Sequence, residues 1–186
     1  MSTPFFVLIG IVVGTVTFGI TVYNRLVKLR NMKDEGWSGI DVQLKRRSDL
    51  IPNLMETVEG YMQHEKEVLT AVTELRSRAG SASNPADRMK AEAALSMGLG
   101  RLLAVAESYP DLKANENFLE LQKQLQEIED QLQMARRYYN GTVRNLNIAI
   151  EIFPNSVVAN MFHFEQAEFF EIEDDKDRAV PEVNFQ

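Results

Sequence analysis

Asp49, Glu56, Glu59, His64, Glu65 and Glu67 gather five acids and one of the two histidines in one stretch of the chain. General acid–base catalysis or a metal site is the chemistry such a group would do. The spacing does not serve it. Glu59 and His64 are five residues apart and His64 and Glu65 are adjacent, so neither pair shares a helix face. There is no HExxH run and no Glu-x-x-His pair of the di-iron type. With only His64 and His163, a three-histidine metal site within one subunit is excluded. The absence of cysteine excludes disulfides, thiolate nucleophiles and zinc-thiolate sites. Gly98 and Gly100 follow no strand pattern, so they make no phosphate loop. His163, among phenylalanines, reads as a packed, hydrogen-bonded residue. No catalytic residue, cofactor or metal is expected, and an enzyme is the reading this census argues against.

The informative chemistry is physical. Phe5 to Val22 is a run of eighteen uncharged residues, followed at once by Arg25, Lys28, Arg30 and Lys33. As an α-helix the run spans roughly 27 Å, close to the hydrocarbon thickness of a bilayer. Cations on one side only predict that the N-terminus lies outside and the bulk of the chain in the cytoplasm, on a single-pass membrane protein. A cleaved secretory signal is the rival. It wants basic residues before the apolar run and a small-x-small site after it, whereas Tyr23-Asn24-Arg25 follows here. Within the run, Gly10 and Gly14 form a small-xxx-small pair, the spacing that lets two membrane helices approach closely.

The formal charge of −7 is unevenly spread: eight acids against Lys176 and Arg178 put −6 of it between Glu165 and Gln186. Nucleic acid is not an expected partner, since that needs a basic patch. The expected organisation is an outer N-terminus at 1–4, a span at 5–22, a helical domain at 23–170 and an acidic, solvated tail at 171–186. Val180 to Phe185 is a strip able to dock in extended form.

The elements follow from periodicity. Apolar and aromatic residues recur by threes and fours from Trp37 through Leu75, with Arg47 and Glu65 on the same stripe. This predicts one long amphipathic helix over 24–78, kinked at Pro52 and weakened where Gly36 and Gly39 flank Trp37. Gly80 to Pro85 reads as a turn. A second helix follows over 85–107, stopped by Tyr109-Pro110. The third begins after Asn115 as its cap, with a stripe of Phe118, Leu121, Leu125, Ile128, Leu132, Ala135, Tyr139, Val143, Leu146, Ile150 and Phe153. That period near 3.5 predicts coiled-coil-like packing. A fourth helix is expected over 155–170. The fold class expected is all-α: a transmembrane helix continuing into an elongated antiparallel bundle.

Two basic groups complete the candidate sites. Lys45, Arg46 and Arg47 are candidates either to meet anionic lipid headgroups or to form a solvated helix face balanced by Asp41 and Asp49. Arg136 and Arg137 are expected to point away from the stripe, toward an acidic partner in this subunit or another. Trp37 is a candidate lipid or intersubunit contact.

Several of these runs resemble the LemA family: Tyr23-Asn24-Arg25-Leu26-Val27, Trp37 to Arg47, Asp49 to Leu54, Gly60-Tyr61 with His64-Glu65, Tyr109 to Asn115, Arg136 to Asn140, and Phe153-Pro154. Leu146 departs from the aromatic residue often found there. The resemblance implies one N-terminal span with a cytoplasmic helical bundle, and no catalytic residues to carry over. One branch of the family is associated with membrane compartments in magnetic bacteria, which implies membrane organisation. The expected partners are the lipid bilayer and further copies of the chain as a homo-oligomeric scaffold. The alternative is an adaptor that offers bundle and tail to a cytoplasmic protein in signalling or protease regulation.

Overall fold

The computed structural model describes residues 3–170 of the chain. Among them are six helices and no strand: α1 (Thr3–Glu59), α2 (Lys66–Ser81), α3 (Pro85–Ala106), α4 (Pro110–Lys113), α5 (Glu116–Glu151) and α6 (Asn155–Met161). The protein is all-α with an apolar N-terminal helix, as expected. The tail and its strip at 180–185 lie outside the described residues. The chain divides into two compact units. The first holds residues 3–46 and 126–169; the second holds 47–125 and Phe170.

In the first unit α1 and α5 run antiparallel. Val22 and Leu26 share a buried cluster with Leu146, Ala149, Ile150 and Ala159, while Trp37 meets Tyr139 with ring centroids 5.5 Å apart. The expected weak point at Gly36 and Gly39 is absent: α1 runs unbroken through both. Gly36 is instead a contact surface. A Cβ there would lie 3.2 Å from the Tyr139 Cα, so its missing side chain lets the two helices close up.

The expected fourth helix is shorter than its apolar residues implied, ending at Met161. His163 adopts the left-handed conformation at φ 55°. Phe164 N–H donates to the Ala159 carbonyl (2.9 Å) and His163 N–H to the Asn160 carbonyl (3.3 Å), the paired bonds of a Schellman stop. Beyond it, residues 164–170 are not helical. The Asn147 amide serves their backbone: it donates to the Ala167 carbonyl and accepts from the Ala167 N–H, both at 2.9 Å. A side chain thus replaces the partners a helix would have supplied.

In the second unit the expected single helix over 24–78 is broken at residues 60–65. The chain folds back as a hairpin, which brings Val58, Met62, Val68 and Val72 into one buried cluster. Two segments facing each other bury more of that stripe than one extended helix could, and Gly60 costs about 1 kcal/mol in a helix interior. α3 packs on α2, and Gly98 makes room for Leu75. The expected caps are present. Asn84 accepts from the Asp87 N–H (2.8 Å) ahead of Pro85, and Asn115 accepts from the Phe118 N–H (3.0 Å).

Candidate functional site

The apolar segment of α1 is the most exposed stretch of the described chain. Phe6, Leu8, Ile11, Val13 and Ile20 are each more than half exposed among the described residues. It is the one helix among the described residues long and apolar enough to cross a membrane. Its polar groups are satisfied internally. The hydroxyls of Thr15, Thr17 and Thr21 donate to the carbonyls four residues back at 2.9, 2.8 and 2.9 Å. A hydroxyl so bonded costs little to place in hydrocarbon. Gly10 and Gly14 share one face, and a Cβ at either would meet nothing within 4 Å.

The cations follow immediately. Arg25 and Lys28 are exposed. The Arg30 guanidinium lies 5.4 Å from the centre of the Phe164 ring, and Lys33 pairs with its neighbour Asp34 at 2.9 Å. Tyr23 closes the apolar run and stacks on Phe162 and Phe164, with centroids 4.8 and 5.8 Å away. The Phe164 side chain thereby lies between a tyrosine and a cation of α1.

Trp37 is half-buried against Tyr139 rather than presented outward. The Tyr139 hydroxyl donates to the Glu168 carbonyl at 3.0 Å. Burial first, then the charges of Glu168 and Asp34, raise its pKa above the usual phenol value. A shallow groove beside it is lined by Glu35, Ser38, Gly39, Val42 and Tyr138.

The basic candidates divide. Lys45, Arg46 and Arg137 are exposed, with Arg46 donating to Gln43 at 3.1 Å. Arg47 is a correction to its assignment as a lipid or intersubunit contact. It is fully buried, paired with the Glu92 carboxylate and donating to Ser96 Oγ at 2.6 Å and the Glu92 carbonyl at 3.2 Å. A guanidinium enclosed this way reaches neither lipid nor another copy. The signal was present in the sequence, because Arg47 sits on the apolar stripe; Glu92 carried no comparable sign. Arg136 is likewise corrected: it is 7 % exposed and turned inward, because the α5 face it occupies packs within the first unit. The acid–histidine group does not converge. His64 is exposed, Glu65 accepts from the Tyr109 hydroxyl at 3.2 Å, and no three metal-ligating side chains cluster among the described residues.

The family model described as LemA family matches residues 36–185. The chain belongs to the LemA family. Among similar proteins, Protein LemA of Metamycoplasma hominis is 26% identical over 149 residues, covering 80% of this chain and 68% of that protein. Magnetosome protein MamQ 2 of Paramagnetospirillum magneticum is 23% identical over 175 residues, and MamQ of Magnetospirillum gryphiswaldense 21% over 174. The match spans 64% of each MamQ protein, less than two thirds of its length. This LemA family chain is a membrane-associated helical protein with one helix, α1, long and apolar enough to cross a bilayer.

Proposed function

We propose that this LemA family protein is a non-enzymatic scaffold, rooted in the bacterial inner membrane by the span at 5–22 and self-associating there. The bundle faces the cytoplasm. One observation carries the reading: an apolar helix segment with its hydroxyls internally bonded stands exposed among the described residues. Bilayer supplies that cover, and the Gly10–Gly14 face supplies a site for a second span. Cations after the span and none before it support the orientation. The relatives named as magnetosome proteins support a role in organising membrane. Parallel spans hold their bundles side by side, so weak lateral contacts gain from high effective concentration.

The test is the mass of the full-length protein in detergent, by light scattering corrected for bound detergent. A homomer of several subunits is expected. A monomer would remove the scaffold reading and leave the membrane-anchored adaptor in its place.

A further inference from the structure

We propose that the corner joining α5 to α6 is a second membrane-contact element, resting in the headgroup layer beside the span. The inference rests on the anchor reading above. Ile152, Phe153, Val157, Met161 and Phe162 are all large, apolar and exposed, Phe153 at 83 % and Met161 at 68 %. The expected continuation of the α5 stripe to Phe153 fails because α5 ends at Glu151, leaving that ring outside the packed face. Val157 and Met161 lie one turn apart on a shared face of α6. The other face, with Ala159 fully buried, turns inward. A helix packed on one side and washed by water on the other carries polar residues outward. This one carries Val157 and Met161 outward, with Asn160 beside them.

The level of the patch identifies what covers it. Ala159 shares the buried cluster of Val22 and Leu26, and the Phe162 ring stacks on Tyr23. Val22 is the last residue of the apolar run and Tyr23 the first beyond it. A bilayer that takes in residues 5–22 therefore has its boundary where α6 sits. Tyrosine is enriched at that boundary, and the exposed cations Arg25 and Lys28 follow on the watery side, where anionic headgroups lie. Interfacial helices bury an apolar face about 5–10 Å into this layer. Burial against a second copy would impose no such level.

The chain contains no cysteine, so a single introduced thiol labels uniquely. Four full-length variants, Val13→Cys, Gln133→Cys, Val157→Cys and Met161→Cys, are spin-labelled. They are reconstituted in vesicles of phosphatidylcholine with phosphatidylglycerol. Collision with oxygen, which partitions into lipid, is compared with collision with an aqueous nickel chelate. The expected result is an oxygen-to-nickel ratio at 157 and 161 several-fold above that at 133, and below that at 13. A lipid-like ratio at 13 with water-like ratios at 157 and 161 would overturn the docking and leave the anchor standing. Labels at 157 and 161 shielded from both reagents, with short dipolar distances between copies, would assign the patch to a second copy and overturn it equally. A water-like ratio at 13 would take down the anchor reading itself.

Discussion

The Arg76 side chain donates its Nε–H to the backbone carbonyl of Ser48 at 2.8 Å. Ser48 is the residue four before Pro52, which lies inside α1 without ending it. Proline has no N–H to return to that carbonyl. Arg76, arriving on the antiparallel α2, supplies the missing donor. The relationship explains how a mid-helix proline is carried: the helix loses a bond within itself and regains it from its neighbour.

Arg76→Leu should therefore cost about 1–3 kcal/mol, the penalty for a part-buried carbonyl left without its donor. In a Pro52→Ala background the same change should cost markedly less, because the backbone N–H that alanine restores takes over the carbonyl. Thermal melts of the four combinations in detergent, followed by circular dichroism, read the coupling. Additive effects would mean Arg76 acts through packing alone.

The buried pair Arg47–Glu92 gives a second cycle. Removing one partner strands the other charge, so Arg47→Met should cost about 3–5 kcal/mol. Arg47→Met with Glu92→Leu should restore most of that, since an apolar pair of similar size needs no desolvated charge. A double variant as unstable as the single one would show that Glu92 is not what makes Arg47 necessary.

Gly36 and Gly39 should answer the same substitution oppositely. Alanine at 39 meets open space and gains about 1 kcal/mol of helix propensity. Alanine at 36 presses on the Tyr139 backbone, and Gly36→Ala should lower the thermal midpoint by several degrees. Equal gains at both sites would mean α1 and α5 approach less closely than the structure has them.

Two tyrosines set an alkaline limit. Desolvation and Glu65 raise Tyr109, while burial with Glu168 and Asp34 raises Tyr139. A raised folded pKa gives stability that is full below the unfolded value of about 10 and lost as pH rises through the folded value. Thermal midpoints should stay level up to about pH 9 and fall beyond it, more steeply than in a Tyr109→Phe, Tyr139→Phe double variant. The slope is the readout, because losing the two hydroxyl hydrogen bonds lowers the double variant at every pH. Parallel curves would disprove the linkage.

Assembly is tested at Gly10 and Gly14. The double change to leucine should leave helix content and membrane insertion intact and shrink the detergent-solubilised particle. An unchanged large particle would show that contacts outside the span drive association.

Much of the fold was legible in the residues because its causes are local. The apolar run at 5–22 carries no charge, and its three threonine hydroxyls bond to their own helix. Asn84 and Asn115 announce their helices because a cap needs only a side-chain oxygen and an N–H three residues on. The α5 stripe repeats every three or four residues, and Leu125, Ile128, Leu132, Val143 and Leu146 are all buried. Family membership was readable in the same way, from ordered short runs.

What only the tertiary structure decided depends on groups far apart in the chain. The break at residues 60–65 follows from apolar residues on both sides of it meeting in one core, which no local period reveals. Arg47 became buried because Glu92, forty-five residues on, arrived to take its charge. Residues 164–170 were expected to continue the fourth helix, yet Asn147 of α5 binds the Ala167 backbone instead. Phe153 continued the stripe in sequence but lies outside it in space, since α5 had already ended. In the first three cases the deciding interaction joins partners far apart in sequence, and their meeting is a property of the folded chain.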